Sequence, residues 1–226
     1  MQPLITVAND SHLRYAASVC VMMEESAKIR GTGIAKRKPT YIMEKMKQGK
    51  AVITLDGDLI VGFCYIESWE NKKYVANSGL IVHTDYRKSG LARRIKAAVF
   101  ELSKQLYPQA LLFGITTSMA VMKINSDLGY KPVAFVELTQ DEQFWKGCQS
   151  CVNFDILQRT NRKMCLCTGM LCDFSDLPTT ANKNGRSKSW ANFKSFIKKR
   201  RQRIKNNWSN FPKLITLLKN EKNNHK

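Results

Sequence analysis

One stretch, Gly79-Leu-Ile-Val-His-Thr-Asp-Tyr-Arg-Lys-Ser-Gly-Leu-Ala92, restricts this chain more than any other. Ile81 and Val82 close an apolar, β-prone run, and Arg87-Lys-Ser-Gly90 follows as a basic turn of small residues. From Leu91 the apolar positions Ile95, Ala98, Val99, Leu102 and Leu106 recur by threes and fours, the period of an amphipathic helix. A strand therefore feeds a glycine turn that opens into a helix. The first N–H groups of a helix lack internal partners and carry the positive end of its dipole, so such a turn suits a phosphate or pyrophosphate. Arg87 and Lys88 add full charges to it.

Neither G-x-G-x-x-G nor G-x-x-x-x-G-K-[ST] occurs in the stretch, so the dinucleotide and P-loop patterns do not apply. Arg87-Lys-Ser-Gly90-Leu-Ala92 does fit [QR]-x-x-G-x-[GA], the pyrophosphate loop of the GNAT acyltransferase superfamily. Val82-His-Thr-Asp-Tyr-Arg87 resembles that family's V-x-P-x-[YFW]-[RQ] approach, with Thr84 where proline is usual. On these residues the chain resembles a GNAT-type N-acetyltransferase.

The rest of the chain is read in the same terms. Leu4–Ala8 is an expected strand, and Asn9, Asp10 and Ser11 are N-cap candidates for a helix with Leu13, Ala16, Ala17, Cys20, Met23 and Ala27 on its apolar face. A cationic, glycine-rich loop, 30–38, precedes a short helix from Pro39 to Met46. Strands are expected at Ala51–Leu55 and Leu59–Ile66, joined by the hairpin signal Asp56-Gly57, and at Tyr74–Val82. After the long helix come a strand at Leu111–Thr117, a helix at Met119–Leu128 ending on Gly129, and strands at Val133–Leu138 and Lys163–Leu171. The order β-α-α-β-β-β-α-β-α-β-β matches the GNAT topology over residues 3–173. The fold class expected is thus α/β, a central mixed seven-stranded sheet whose fourth and fifth strands splay apart. The expected organisation is an acyltransferase domain at 1–175 with an inserted connection at 139–162, a linker at 176–189 and a basic amphipathic helical extension at 190–226.

What the resemblance implies can be placed residue by residue. Acyl-CoA, as acetyl-CoA, would lie between the splayed strands, with backbone groups of Ile81 and Val82 on the pantetheine arm. The diphosphate would sit on the turn of Arg87, Lys88, Ser89, Gly90, Leu91 and Ala92. The amine attacks the thioester directly, and the Val82 N–H is the expected oxyanion donor. Glu67 is the candidate general base acting through a water, with Asn77 and Ser78 able to order one. His83, beside the phosphate turn, is read as structural or CoA-adjacent. The family pattern N-x-x-A-x-x-L-Y-x-x-x-G-[FY] falls on residues 118–130, where Ser118 replaces the asparagine and joins the cofactor-binding set. Asn125 stands where a tyrosine often protonates the leaving thiolate; an amide can hydrogen-bond that sulfur but cannot serve as its acid. Arg30 and Arg37, with Lys36 and Lys38, face the acceptor and suit an anionic one. The whole pattern resembles a bacterial branch associated with arginine biosynthesis, whose expected acceptor is the α-amine of glutamate. Acetyl and succinyl donors stay unseparated.

Charge and cysteine bear on partners and compartment. Net charge is +19, and residues 181–226 hold 14 Lys and Arg against the single acidic Glu221. Trp190, Phe193, Ile197, Ile204 and Trp208 recur there at helical spacing around the block Lys198–Arg203, and Leu214, Ile215, Leu217 and Leu218 follow Pro212. Such a basic amphipathic helix packs on its own domain or a sister subunit, and a homodimer is expected; contact with nucleic acid or a membrane is the lesser reading. A competing function follows from it, that of a nucleic-acid-associated protein whose GNAT domain is vestigial or senses acyl-CoA. No charged-then-apolar leader opens the sequence, and its seven cysteines read as reduced thiols, so a cytoplasmic location is expected. Cys148-Gln-Ser-Cys151 and Cys165-Leu-Cys167 would make a structural zinc site if Cys165 and Cys167 shared one face of a strand. Buried apolar cysteine, with Cys172 as a similar case, is the opposing reading, and no metal ligand is assigned. The connection itself is expected to lid the acceptor pocket, with Phe144 and Trp145 as anchors.

Overall fold

A computed structural model of the chain describes residues 2–30, 36–177 and Lys194, Ser195, Ile197 and Lys198, the last four being helical. Two compact units are present, 1–181 and 182–226. The readings placed on the loop 31–35, on 178–193 and on 199–226 lie outside the described residues.

The first unit is a seven-stranded sheet, β1 (Leu4–Val7), β2 (Ala51–Asp56), β3 (Leu59–Trp69), β4 (Tyr74–Val82), β5 (Leu111–Thr116), β6 (Lys131–Val133) and β7 (Thr168–Asp173). Their spatial order is β1-β2-β3-β4-β5-β7-β6. Every pairing is antiparallel except β4 with β5. That mixture is the expected one, and it follows from connection length. Asp56-Gly57, with Gly57 at φ +58°, folds β2 back on β3, whereas β4 reaches β5 through a whole helix.

The helices are α1 (Ala16–Arg30), α2 (Pro39–Lys47), α3 (Leu91–Leu106), α4 (Met119–Asp127), α5 (Glu142–Lys146) and α6 (Phe154–Arg159). Asn9 starts the first of them as anticipated: its side chain accepts from Ser11 N at 3.1 Å, and a 3₁₀ turn over Asp10–Tyr15 leads into α1. One core cluster joins α1, α2, β2 and β3 through Val19, Met23, Ile42, Met46, Ile53 and Phe63, all at most 3% exposed. Burying each such side chain contributes about 1.5–3 kcal/mol.

Two strand expectations are corrected. The sixth strand is not Val133–Leu138 but Lys131–Val133, and Phe135–Glu137 forms a 3₁₀ turn. Phe135 and Leu138, three apart, both turn inwards while Val136 is 61% exposed, and Glu137 Oε1 accepts from Ala134 N at 2.8 Å. A spacing of three suits a turn, and a period of two was the wrong template for this run. The last strand begins at Thr168, five residues later than anticipated. Asn161 and Arg162 adopt positive φ, and the Thr160 hydroxyl donates to Met164 O at 2.8 Å, which holds the preceding segment as a turn. Cys165 and Cys167 therefore precede the strand, and the shared-face argument fails.

Candidate functional site

The parallel ladder between β4 and β5 is short. Tyr74, Val75 and Ala76 face Leu111, Leu112 and Phe113, and pairing then stops. Beyond it, Asn77–Val82 and Gly114–Thr116 diverge, so one edge of β4 carries backbone groups with no strand beside them. Two features of β4 sharpen the divergence. Between the pairs Phe63–Ile81 and Tyr65–Ser78 the register slips, leaving Gly79 and Leu80 opposite Cys64 alone. That is a β-bulge, and it bends its strand. Gly79 takes φ +65°, and a Cβ there would stand 2.5 Å from Tyr65 Cε1, so only glycine fits.

Antiparallel pairs alternate between bonded and unbonded positions. His83 N donates to Val61 O at 2.9 Å, which makes the Val82–Gly62 position the unbonded one. Val82 thus presents its N–H and C=O away from β3, and its carbonyl accepts Arg87 Nε at 3.3 Å. The same alternation turns the N–H and C=O of Ile81 towards β3, so the free edge is offered by Val82 and not by Ile81. The side chain of Ile81 is 3% exposed, in the core.

The turn that follows is exposed from Arg87 to Gly90. Lys88 at φ +64° and Gly90 at φ +82° curl it, and Ser89 Oγ donates to Tyr86 O at 2.6 Å. Arg93 N and Arg94 N both bond Gly90 O, so the unpartnered amides that begin any helix fall in the segment ending at Ala92, with buried Leu91 anchoring α3. His83 stands apart, its ring edge-on to Tyr86 at 6.0 Å.

A cavity of about 940 Å³ occupies the gap between β4 and β5 and runs on towards α2. Its lining ends at Leu80 on β4; Val82 and the turn continue the same edge outwards. On the α2 side it is bounded by Lys36, Arg37, Lys38, Tyr41, Tyr65 and Glu67. Arg37 Nε donates to the Tyr65 hydroxyl at 2.9 Å, and its guanidinium lies 5.2 Å from the Tyr41 ring centroid. Glu67 and Lys45 form an ion pair at 2.8 Å, each side chain only 14% exposed. Burial pushes the Glu67 carboxyl up to about 7, with Arg37 opposing, and pulls the Lys45 ammonium down to about 8. Their own contact works against both shifts. A carboxylate poised near neutrality beside a cavity can accept a proton at physiological pH.

At the inner end sit Asn77, Asn125 and Lys96. Asn125 is 2% exposed on α4; its Nδ2 approaches Met170 Sδ at 3.8 Å and its Oδ1 is buried without a partner. An orphaned buried acceptor on a cavity wall has hydrogen-bonding capacity left for a ligand. Ser118 caps α4 instead, its Oγ accepting from Val121 N at 3.4 Å, and it does not line the cavity. Arg30 ends α1, the C-terminal limit of that helix.

The connection between β6 and β7 supplies one wall, through Gln143, Phe144, Gly147 and Cys148. Phe144 stacks edge-on against Phe113 at 4.9 Å, while Trp145 is buried and donates Nε1 to Thr139 O at 2.9 Å. Burial pushes Cys148 up to about 11, with Cys151 and Cys165 adding to it, and Cys167 up to about 12, with Cys165, Cys148 and Cys151 adding to it. The four are neighbours, yet among the described residues no three ligands are arranged to hold a metal ion.

Lys45, Tyr65, Lys96 and Tyr130 are among the residues that sequence reasoning passed over. Lys96 falls on the face of α3 shared with Val99 and Ser103, where a lysine breaks the apolar stripe, and that break was the available signal.

No family model matches the sequence, and no curated protein does. Solved structures are similar in fold. N-acetylglutamate synthase from Neisseria gonorrhoeae, complexed with coenzyme A and N-acetyl-glutamate, aligns with a TM-score of 0.54 at 13% identity, over 77% of this chain and 35% of that one. The chain thus spans about a third of that synthase's length. Diaminobutyrate acetyltransferase EctA from Paenibacillus lautus, in complex with L-2,4-diaminobutyric acid and coenzyme A, aligns at 0.52 with 8% identity, over 76% and 96% of the two chains. An N-acetyltransferase from Staphylococcus aureus aligns at 0.51 with 13% identity, over 77% and 99%. With its splayed β4 and β5, its bulged β4 and its cationic turn at the head of α3, this chain has the fold of the GNAT acetyltransferases.

Proposed function

We propose that the protein is an acyl-CoA-dependent N-acyltransferase acting on a small primary amine. The observation that carries the reading is the parting of β4 from β5 after the Ala76–Phe113 pair, which leaves a strand edge leading from the turn at Arg87–Ala92 to a cavity bounded by Glu67. An extended pantetheine arm bonds a free strand edge as another strand would. A diphosphate is held by helix-initial amides and the charges of Arg87 and Lys88. The Val82 N–H, unclaimed by β3, bonds the pantetheine arm.

Glu67 takes the proton that the attacking amine releases, through a water, and Lys45 holds the carboxylate in place. Positive charge from Arg37, Lys36 and Lys38 favours an acceptor that carries carboxylates, and the neighbour bound to N-acetyl-glutamate makes glutamate the first acceptor to try. Asn125 bonds the departing sulfur through its amide and orients it.

The test is turnover of acetyl-CoA and succinyl-CoA by purified protein against a panel of amino acids, followed by free thiol release. Glutamate-dependent release is expected. Release that ignores every amine offered, or a calorimetric titration with coenzyme A that gives no heat, removes the reading.

A further inference from the structure

Lys96 is the only charged side chain in the buried class among the described residues, at 3% exposure. Its Nζ donates to Asn77 Oδ1 at 3.0 Å and stands 5.2 Å from the centroid of the Tyr130 ring. Asn77 is itself held: its Nδ2 donates to Ser103 Oγ at 2.7 Å, and its Oδ1 also receives the Tyr130 hydroxyl at 3.3 Å. The ammonium is therefore oriented by a neutral amide and an aromatic face, with no carboxylate partner among the ion pairs of the described residues. The titratable groups around it are Cys64 on β3, Cys172 on β7 and Tyr130, all kept protonated by burial. A buried ammonium without a counter-ion is costly, so a structural purpose alone would have been better met by an apolar residue.

Its position supplies a purpose. Asn77 is the first β4 residue beyond the last pair with β5, and Lys96 lines the cavity there. A thioester lying along the free edge of β4 brings its sulfur to this inner end. Tyr130, the nearby phenol, spends its proton on Asn77 and does not line the cavity. Asn125 has no proton to give.

On the acyltransferase reading above, we propose that Lys96 is the proton donor to the coenzyme A thiolate as it leaves. The amine nitrogen attacks the thioester carbonyl carbon, the C–S bond breaks with its electron pair going to sulfur, and Nζ passes one proton to that sulfur. Glu67 has meanwhile gained the proton lost by the nitrogen. Solvent returns a proton to the neutral lysine and removes one from Glu67, so the sum is amine plus acyl-CoA giving amide plus free CoA. Lys96 is lowered to about 8 by burial, which keeps it charged at neutral pH yet acidic enough to donate.

The experiment compares wild type, Lys96→Met and Lys96→Arg in acyl-CoA turnover with glutamate from pH 6 to 10, with coenzyme A affinity measured by calorimetry. Lys96→Met is expected to lose kcat by about 100-fold or more, to hold its coenzyme A Kd within about threefold, and to lose the fall of kcat above pH 8. Lys96→Arg, which keeps the charge but whose guanidinium does not release a proton, is expected to lose kcat nearly as far as Lys96→Met, and a Lys96→Arg enzyme near the wild-type rate overturns proton donation. A Lys96→Met enzyme with unchanged kcat and pH profile overturns the role and leaves the acyltransferase reading standing. Loss of coenzyme A binding in Lys96→Met would make the residue structural and overturn it too. A wild type that binds coenzyme A but acylates none of the amines overturns both.

Discussion

Glu67 on β3 stands directly opposite Ala76 on β4, and Ala76 is the last β4 residue with a partner on β5. The candidate base is thus tied by sheet register to the point where the two strands part. Glu67→Gln keeps the shape and removes the charge. It is expected to lower kcat by about 100- to 1,000-fold while leaving coenzyme A affinity unchanged. In the wild type the rate should rise with pH through about 7, as the carboxylate forms, and this limb should be missing from the variant's pH profile.

Gly90 heads α3 at φ +82°, with open space where a Cβ would stand. Gly90→Glu therefore strains the backbone by only about 1 kcal/mol, and an acid at a helix start is otherwise tolerated. A carboxylate among the amides of this turn repels a diphosphate. Coenzyme A affinity should drop about tenfold or more by calorimetry, with the melting temperature little changed.

Arg37 reaches the cavity while bonded to the Tyr65 hydroxyl. A charge-assisted bond to a carboxylate contributes about 1.5–3 kcal/mol. Arg37→Ala should raise KM for the amino-acid acceptor by about 10- to 100-fold and change kcat far less. Steady-state kinetics at saturating acyl-CoA would show the split.

The bulge on β4 depends on Gly79. A methyl there meets Tyr65 Cε1 at 2.5 Å and Met23 Cε at 2.6 Å, on a backbone at φ +65°. Gly79→Ala is expected to cost about 2–4 kcal/mol of stability, from left-handed strain and overpacking together. Urea unfolding of the two proteins would measure it.

Lys96 carries a sign that can be checked. Burial lowers it from 10.5 to about 8, so between those values the unfolded chain holds a proton that the folded chain has released, and stability rises with pH. Below about 8 the buried charge is a net cost. Lys96→Met should therefore be more stable than wild type by about 2 kcal/mol at pH 7, allowing for the lost bond to Asn77. The gap should close as pH approaches 10.5. Thermal melts at several pH values would follow it.

Much of the architecture was legible because its signals are local. The Asp56-Gly57 hairpin, the Asn9 cap and the three-and-four spacing from Leu91 each depend on residues within a turn or two of one another, and the strand–turn–helix at Gly79–Ala92 needed nothing more. Runs near Val133 and Lys163 misled because Phe135, Leu138 and the Thr160 hydroxyl are placed by what they pack against and bond to, which overrides propensity. Chain chemistry alone also brought out Glu67 as a carboxyl at a strand end, but not its ion pair with Lys45, 22 residues away. The inner wall of the cavity is wholly a tertiary product. Asn77 meets Lys96 across 19 residues, Ser103 across 26 and Tyr130 across 53, and no window along the chain contains that meeting. What the sequence determined by itself is therefore the order of elements and the turn before α3, since both arise from short-range backbone preferences. Only folding decided which polar groups are buried together, because desolvation and hydrogen-bond geometry exist only once distant segments share one interior.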